Sequence, residues 1–131
     1  MSGITEFNAA ANADTEREHE IQVGLLRELC RVAGAKGDPA VVAEILARLI
    51  DYSEAHFASE ELLMRMKSYD DYEDHIEDHA QMLDTLRGIA ADHARGESAL
   101  VTGAATETLE FISRHIATRD RRFADYVRNN L

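Results

Sequence analysis

The sequence predicts an all-α protein: an up-down-up-down antiparallel four-helix bundle with an N-terminal arm and a short C-terminal helix. Its 131 residues include one proline and seven glycines, and this scarcity of helix-breaking residues favours long helices. Apolar residues recur at three- and four-residue intervals over four stretches, which is the pattern of amphipathic helices. The connections between these stretches are short, so neighbouring helices should run antiparallel. We predict an arm over residues 1–13 and one bundle domain over residues 14–131.

A capping signal separates the first two helices. The first helix is predicted from about Asp14 to Ala35. The second is predicted to begin at Pro39, because aspartate at position 38 can cap a helix and proline is favoured at the first helical position. It should end near Lys67. The inward faces carry His19, Val23, Leu26, Cys30 and Ala33 on the first helix, and Val42, Ile45, Leu46, Leu49, Ser53, His56, Phe57, Glu60, Leu63 and Met64 on the second.

Two further long helices and a short one complete the predicted bundle. The third helix is expected from about Asp70 to His93, and the fourth from Leu100 to about Thr118. A short helix should close the chain near Tyr126. The inward faces carry Tyr72, His75, Ile76, His79, Met82, Leu83, Leu86 and Ile89 on the third helix, and Leu109, Ile112, His115 and Ile116 on the fourth.

Charge and cysteine content limit the functions that the chain can have. The net charge of −11 should repel phosphates and anionic lipids, so we expect neither a nucleic-acid nor a membrane partner. We also expect no signal peptide, because the first residues lack a basic and an apolar region. Cys30 is the only cysteine, which excludes an intrachain disulfide and cysteine-based metal motifs. A cytoplasmic protein is therefore predicted, either a monomer or a weak homo-oligomer.

Every inward face carries polar residues where a core requires apolar ones. A single buried histidine is most often a hydrogen-bonded core residue, but five of the six histidines lie on inward faces of four helices. Buried ionisable groups without partners cost several kcal/mol each, which a metal cluster would offset. His93 is the exception and is predicted to lie at the surface near a helix C-terminus. The inward polar residues are His19, His56, Glu60, His75, His79 and His115.

These residues carry a resemblance to a known family. His19, the His-x-x-x-Glu pair at 56–60, the His-x-x-x-His pair at 75–79 and His115 followed by Asp120 resemble the hemerythrin family in its single-domain bacterial form. The resemblance spans about residues 14–127. It implies two iron ions (Fe2+/Fe3+) joined by an oxo or hydroxo bridge. It further implies that one iron is held by His75, His79 and His115, the other by His19 and His56, and both by Glu60 and Asp120.

The implied ligands set a requirement on the backbone. His115 and Asp120 are five residues apart, which is about 140° around a regular α-helix. They cannot both face one metal pair from an unbroken helix. We therefore predict a helix break or a π-type widening between Ile116 and Asp120, a feature often found at functional sites.

The chemistry of the ligands bears on the function. Imidazole and carboxylate suit iron, whereas the absence of clustered thiolates disfavours zinc-ribbon and iron–sulfur sites. Ferritin-like centres use more glutamate, with Glu-x-x-His spacing, whereas the paired inward residues of this chain have His-x-x-x-Glu and His-x-x-x-His spacing. The resemblance implies a non-haem di-iron protein that binds O2 or another small gas reversibly, for storage, delivery or sensing, rather than an enzyme. The alternative is a di-iron enzyme or a sensor that acts on nitric oxide or peroxide. An electron donor or a signalling partner is not identified by the sequence.

The gas is expected to bind at the iron that His19 and His56 hold, because that ion keeps an open position in the family. Phe111 stands where the family usually has tryptophan, which suggests a roomier pocket. Gln22 lies one turn from His19 and either hydrogen-bonds the gas or is a solvated or interhelical side chain. The predicted pocket residues are Gln22, Phe57, Met82, Leu83, Phe111 and Ile112.

Overall fold

A computed structural model of the chain describes residues 2–129 and confirms the all-α bundle. The described residues contain no strand. Helix α1 packs against α2 and α4, and α3 packs against α2 and α4, as an up-down-up-down bundle requires. No helix within residues 2–129 has the length and apolar character needed to cross a membrane. The helices are α1 (Ser2–Gly34), α2 (Pro39–Met66), α3 (Tyr72–Ala94), α4 (Ser98–His115), a π-helical turn (Ile116–Asp120) and α5 (Arg121–Asn129).

The predicted start of α2 is confirmed in detail. The Asp38 side chain accepts a hydrogen bond from the backbone N–H of Ala40 at 2.9 Å, and Pro39 occupies the first helical position. The preceding turn requires glycine at position 37, since a Cβ there would lie 2.6 Å from Cγ1 of Val32. These local interactions end the connection to α1 and start α2 where the sequence signal indicates.

The prediction that the first helix begins near Asp14 is wrong, because α1 begins at Ser2. Its N-terminal part lies against α5, and the Asn8 and Asn12 side chains donate hydrogen bonds to α5 backbone carbonyls. The Asn8 bond to the Val127 carbonyl oxygen measures 3.0 Å, and Asn8 is buried. Contacts with α5, near the end of the chain, thus hold the first part of α1 in a helix that its own composition does not indicate. The division into residues 1–13 and 14–131 stays a prediction.

The core consists of two apolar clusters with the polar inward residues between them. The larger cluster occupies the half of the bundle that contains the α1–α2 and α3–α4 connections. The smaller one lies at the opposite end, where α5 packs. The larger cluster comprises Leu26, Leu29, Val32, Val42, Ile45, Leu46, Leu49, Phe57, Met82, Leu86, Ile89, Val101, Ala105 and Ile112; the smaller comprises Met64, Tyr69, Phe123 and Val127.

Candidate metal centre

The structure brings all seven sequence-predicted ligands into one buried group. No member is more than 7% exposed, and together they come from α1, α2, α3, α4 and the π-helical turn. The sixth histidine, His93, lies apart from this group, and its Nε2–H donates to the Pro39 carbonyl oxygen at 2.9 Å. The buried group contains His19, His56, Glu60, His75, His79, His115 and Asp120.

The ligand atoms form two sets that share one carboxylate. Within each set, the candidate nitrogen and oxygen atoms all lie within 4.8 Å of one another, which is close enough for a single cation to contact them. Both sets are buried throughout. The larger set contains Glu60, His75, His79, His115 and Asp120, and the smaller contains His19, His56 and Glu60.

Glu60 turns one carboxylate oxygen toward each set. Its Oε1 lies 3.1 Å from Nε2 of His79 and 3.8 Å from Nε2 of His75. Its Oε2 lies 3.4 Å from Nε2 of His19 and 3.5 Å from Nε2 of His56. A carboxylate whose two oxygens face different sets can bridge two cations.

Asp120 also turns one carboxylate oxygen toward each set of histidines. Its Oδ1 lies 2.8 Å from Nε2 of His75 and 3.0 Å from Nε2 of His115. Its Oδ2 lies 2.9 Å from Nε2 of His19. The two carboxylates therefore both span the gap between the histidine sets.

The π-helical turn places Asp120 in the centre. It covers Ile116–Asp120, the segment in which the sequence predicts a break or widening, and that prediction is confirmed. In a π-helix the backbone bonds run between residues five apart, one more than in an α-helix. The additional residue returns Asp120 to the face that carries His115, so both side chains point into the bundle.

Unpartnered polar atoms provide a test of whether a cation fits. Among residues 2–129, buried atoms without a hydrogen-bond partner include Nε2 of His19, His56, His79 and His115 and both oxygens of Glu60. Leaving so many buried polar atoms unpaired costs free energy. All of these atoms face the shared interior, where cations would satisfy them together. Nitrogen and oxygen donors without thiolate suit iron.

The other ring nitrogen of three of these histidines is bonded to a carboxylate. Metal-binding histidines usually donate their second ring N–H in this way, which orients the ring and leaves Nε2 free for the metal. We call these three carboxylates the supporting acids. The pairs are His56 Nδ1 with Glu18 Oε1 at 2.8 Å, His79 Nδ1 with Glu61 Oε2 at 2.7 Å, and His115 Nδ1 with Asp78 Oδ2 at 3.1 Å.

Sequence reasoning missed the supporting acids, although a signal for them exists. Each is the immediate neighbour in sequence of a ligand on its own helix, yet it supports a histidine on the next helix along the chain. Asp78, for example, adjoins His79 on α3 but bonds His115 on α4. Asp78 also pairs with Arg119, whose Nε lies 2.9 Å from Asp78 Oδ2. An acidic residue beside each ligand is therefore the pattern to look for.

The carboxylates and imidazoles strongly shift each other's ionisation. Burial lowers the pKa of His19, but the adjacent Asp120 and Glu60 carboxylates outweigh this and raise that pKa to about 10. Burial raises the pKa of Asp120, but the imidazoles of His115, His19 and His75, which lie within 3.0 Å of its carboxylate, hold that pKa well below the usual range. Asp120 therefore remains ionised, as a metal-binding carboxylate must be, while a proton on His19 competes with a cation.

Two of the predicted pocket residues lie beside the centre. Gln22 is 1% exposed, and its Nε2–H donates to Oγ of Ser53 at 3.0 Å. Phe57 stacks on the His79 ring, with centroids 4.1 Å apart and planes within 9°, and lies 5.6 Å from the His56 ring. Phe57 thus covers part of the centre with an apolar surface.

The other predicted pocket residues lie on α3 and α4. Met82 and Ile112 are buried in the larger apolar cluster, and Leu83 and Phe111 are partly buried against it. Met82 and Phe111 also line a surface groove of about 370 Å³ between α3 and α4. That these residues form the wall of a gas pocket stays a prediction.

A helical bundle with five histidines and two carboxylates converging in its interior defines a cation-binding protein. The sequence profile of the hemerythrin HHE cation binding domain matches residues 11–127, and the chain belongs to this family. It is similar to a myohemerythrin of Theromyzon tessulatum, with 37% identity over 54 residues. That match covers 41% of this chain and 45% of the relative, which is less than half of each. No solved structure gives a significant match.

Proposed function

We propose that this protein is a non-haem di-iron protein that binds O2 reversibly. The orientation of Glu60 and Asp120 carries the proposal. Each carboxylate turns one oxygen toward one histidine set and its other oxygen toward the other set. Two bridging carboxylates call for two cations rather than one. Membership of a cation-binding family and the donor chemistry support iron as the metal.

The two iron positions differ in their number of histidines. One is served by His75, His79 and His115, and the other by His19 and His56 alone. With shared carboxylates, the position with two histidines has fewer protein ligands, and we assign the gas to it. Iron bound there would supply the coordination position and the electrons for O2. The protein would hold the ligands in place and restrict access of water.

Apolar packing around the centre supports reversible binding. Phe57 is 3% exposed, stacks on the His79 ring and belongs to the larger apolar cluster. An apolar wall would limit the access of protons to bound O2, so that O2 could be released unchanged. The donor set of five imidazoles and two carboxylates also favours reversible binding of O2 over its activation.

The alternative is an enzyme or a sensor acting on nitric oxide or peroxide, and two surface grooves favour it. A groove of about 290 Å³ between α1 and α2 reaches His56 and Glu60. Another, of about 310 Å³, reaches His19 and Asp120 on the other side of α1. Openings of this kind would admit water and polar substrates as well as gas.

An iron determination and an oxygenation cycle test the proposal. Protein expressed with ample iron should contain two irons per chain, matching the two ligand sets. An absorption band should appear with O2 and disappear under argon over repeated cycles.

Glu60→Ala should lose iron, whereas Glu97→Ala, a change at an exposed residue, should retain it. One iron or none would contradict the di-iron proposal. A single irreversible reaction with turnover of a substrate would replace the carrier function with the enzyme.

A further inference from the structure

A buried polar pair lies in the apolar interior next to the metal centre. Gln22 on α1 and Ser53 on α2 are 1% and 0% exposed, and they hydrogen-bond each other at 3.0 Å. The next inward residues on the two helices, Leu26 and Leu49, are both fully buried and belong to the larger apolar cluster. The pair is therefore a polar contact where the pattern of both helices calls for apolar residues.

The pair lies on the side of the centre where the protein supplies fewest ligands. Gln22 follows His19 by three residues and Ser53 precedes His56 by three, so each is a same-face neighbour of a histidine. Because α1 and α2 are antiparallel, both neighbours fall on the same side of the histidine pair. Helical side chains lean toward the helix N-terminus, which tilts Gln22 toward His19.

The pair has more hydrogen-bond donors than the bond between its two members uses. A glutamine amide carries two N–H donors and a serine hydroxyl carries one O–H donor as well as acceptor lone pairs. The bond from Gln22 to Ser53 uses one N–H and one lone pair. One N–H of Gln22 and the O–H of Ser53 are then left to serve other acceptors. Burying such groups costs stability that an apolar pair would not cost.

We propose that Gln22 and Ser53 determine ligand specificity by donating a hydrogen bond to the molecule bound on the His19–His56 side. This inference rests on the proposed function, which places the ligand there. The pair would favour ligands that accept hydrogen bonds strongly, such as small anions and oxygen-rich species. It would give little advantage to carbon monoxide, a weak acceptor.

Azide tests the pair, because it is a small anion that binds ferric iron and accepts hydrogen bonds. The iron-loaded, oxidised protein is titrated with azide, and its bound azide stretch is recorded by infrared spectroscopy in H2O and in D2O. Gln22→Leu and Ser53→Ala should each weaken azide binding about tenfold, as expected for the loss of a hydrogen bond to a charged group. The H2O–D2O difference in the azide band should shrink in both variants.

Thr108→Val is the matched control, since it removes a buried hydroxyl that bonds only the Ala104 carbonyl oxygen of its own helix among the described contacts. It should bind azide as the unchanged protein does. Melting of the metal-free Gln22→Leu protein separates a structural role, since this change removes the amide altogether and the variant should melt no lower than the parent. Ser53→Ala leaves the buried Gln22 amide without its partner and should itself melt lower.

Specific results overturn the inference. Unchanged azide affinity and an unchanged isotope difference in both variants, at full iron content, would refute it and leave the proposed function standing. Parallel loss of azide affinity and of melting temperature in Gln22→Leu would assign the pair a structural role and also refute the inference. If the unaltered chain fails to hold two irons, the proposed function itself fails, and the iron determination identifies that case.

Discussion

Glu61 provides a test of the supporting acids one residue at a time. It accepts a hydrogen bond from Nδ1–H of His79 at 2.7 Å, and losing such a partner typically weakens metal binding by about 10- to 100-fold. Glu61→Ala should therefore release iron to a competing chelator at about tenfold lower chelator concentration. Glu54→Ala is the control, because Glu54 is an exposed acid on the same helix that pairs with Arg87. If the two variants release iron alike, the contact with His79 does not support the metal.

Phe111 provides a second test at this scale. It is smaller than the tryptophan expected from the family and lies partly buried between α3 and α4. Since we predict that Phe111 lines the gas pocket, a larger side chain at this position should slow the loss of electrons from the oxygenated protein, and a smaller one should speed that loss. Phe111→Trp should thus lengthen the half-life of the oxygenated form, and Phe111→Ala should shorten it, as followed by absorbance. Equal half-lives would place Phe111 outside the gas pocket.

Residue spacing identified the seven residues of the buried group but not the side chains that orient them. Ligands such as His75 and His79 share one face of one helix, so their spacing in sequence reports their spacing in space. The bond between Glu18 on α1 and His56 on α2 depends on how two helices meet, which spacing along one chain does not specify. The partner of Gln22 on α2 was beyond prediction for the same reason.

At the scale of helices, the π-helical turn is the feature on which the centre depends. A π-bulge accommodates one additional residue while Asp120 keeps the face that carries His115. Insertion of one alanine after Ala117, which is exposed, adds a residue beyond what the turn accommodates and should rotate Asp120 by about 100° away from the centre. We expect the insertion to lower the iron content per chain while most of the helical circular dichroism remains.

Ala117→Ser is the control for the insertion, since it changes the side chain but keeps the length of the turn. It should keep its iron. Full iron content in the protein with the insertion would show that Asp120 is not required as a ligand.

The helix boundaries illustrate what local signals can predict. The start of α2 follows from Asp38 and Pro39, which act within a few residues. The π-helical turn was predictable because a geometric conflict between His115 and Asp120 had to be resolved. The start of α1 was not, since residues 2–13 have no clear apolar stripe and Asn8 finds its partner at Val127, near the other end of the chain.

For the whole molecule, the metal centre lies between two apolar clusters and joins four helices and the π-helical turn. Without metal, the buried Nε2 atoms and the Glu60 oxygens remain unpaired in the middle of the core. Any ligand that binds only the folded chain also stabilises it. Removal of iron should therefore lower the melting temperature, measured by circular dichroism on metal-free and reloaded samples. Equal melting temperatures would mean that the cluster is not a metal site that contributes to stability.

The supporting acids link the helices in one direction around the bundle. Glu18 on α1 bonds His56 on α2, Glu61 on α2 bonds His79 on α3, and Asp78 on α3 bonds His115 on α4. A rotation of any one of the first three helices therefore disturbs both its own ligand and the ligand on the next helix. We expect the four helices to act as one mechanical unit around the centre, so that a distortion at one set of ligand atoms reaches the other and the two irons that we propose are gained or lost together.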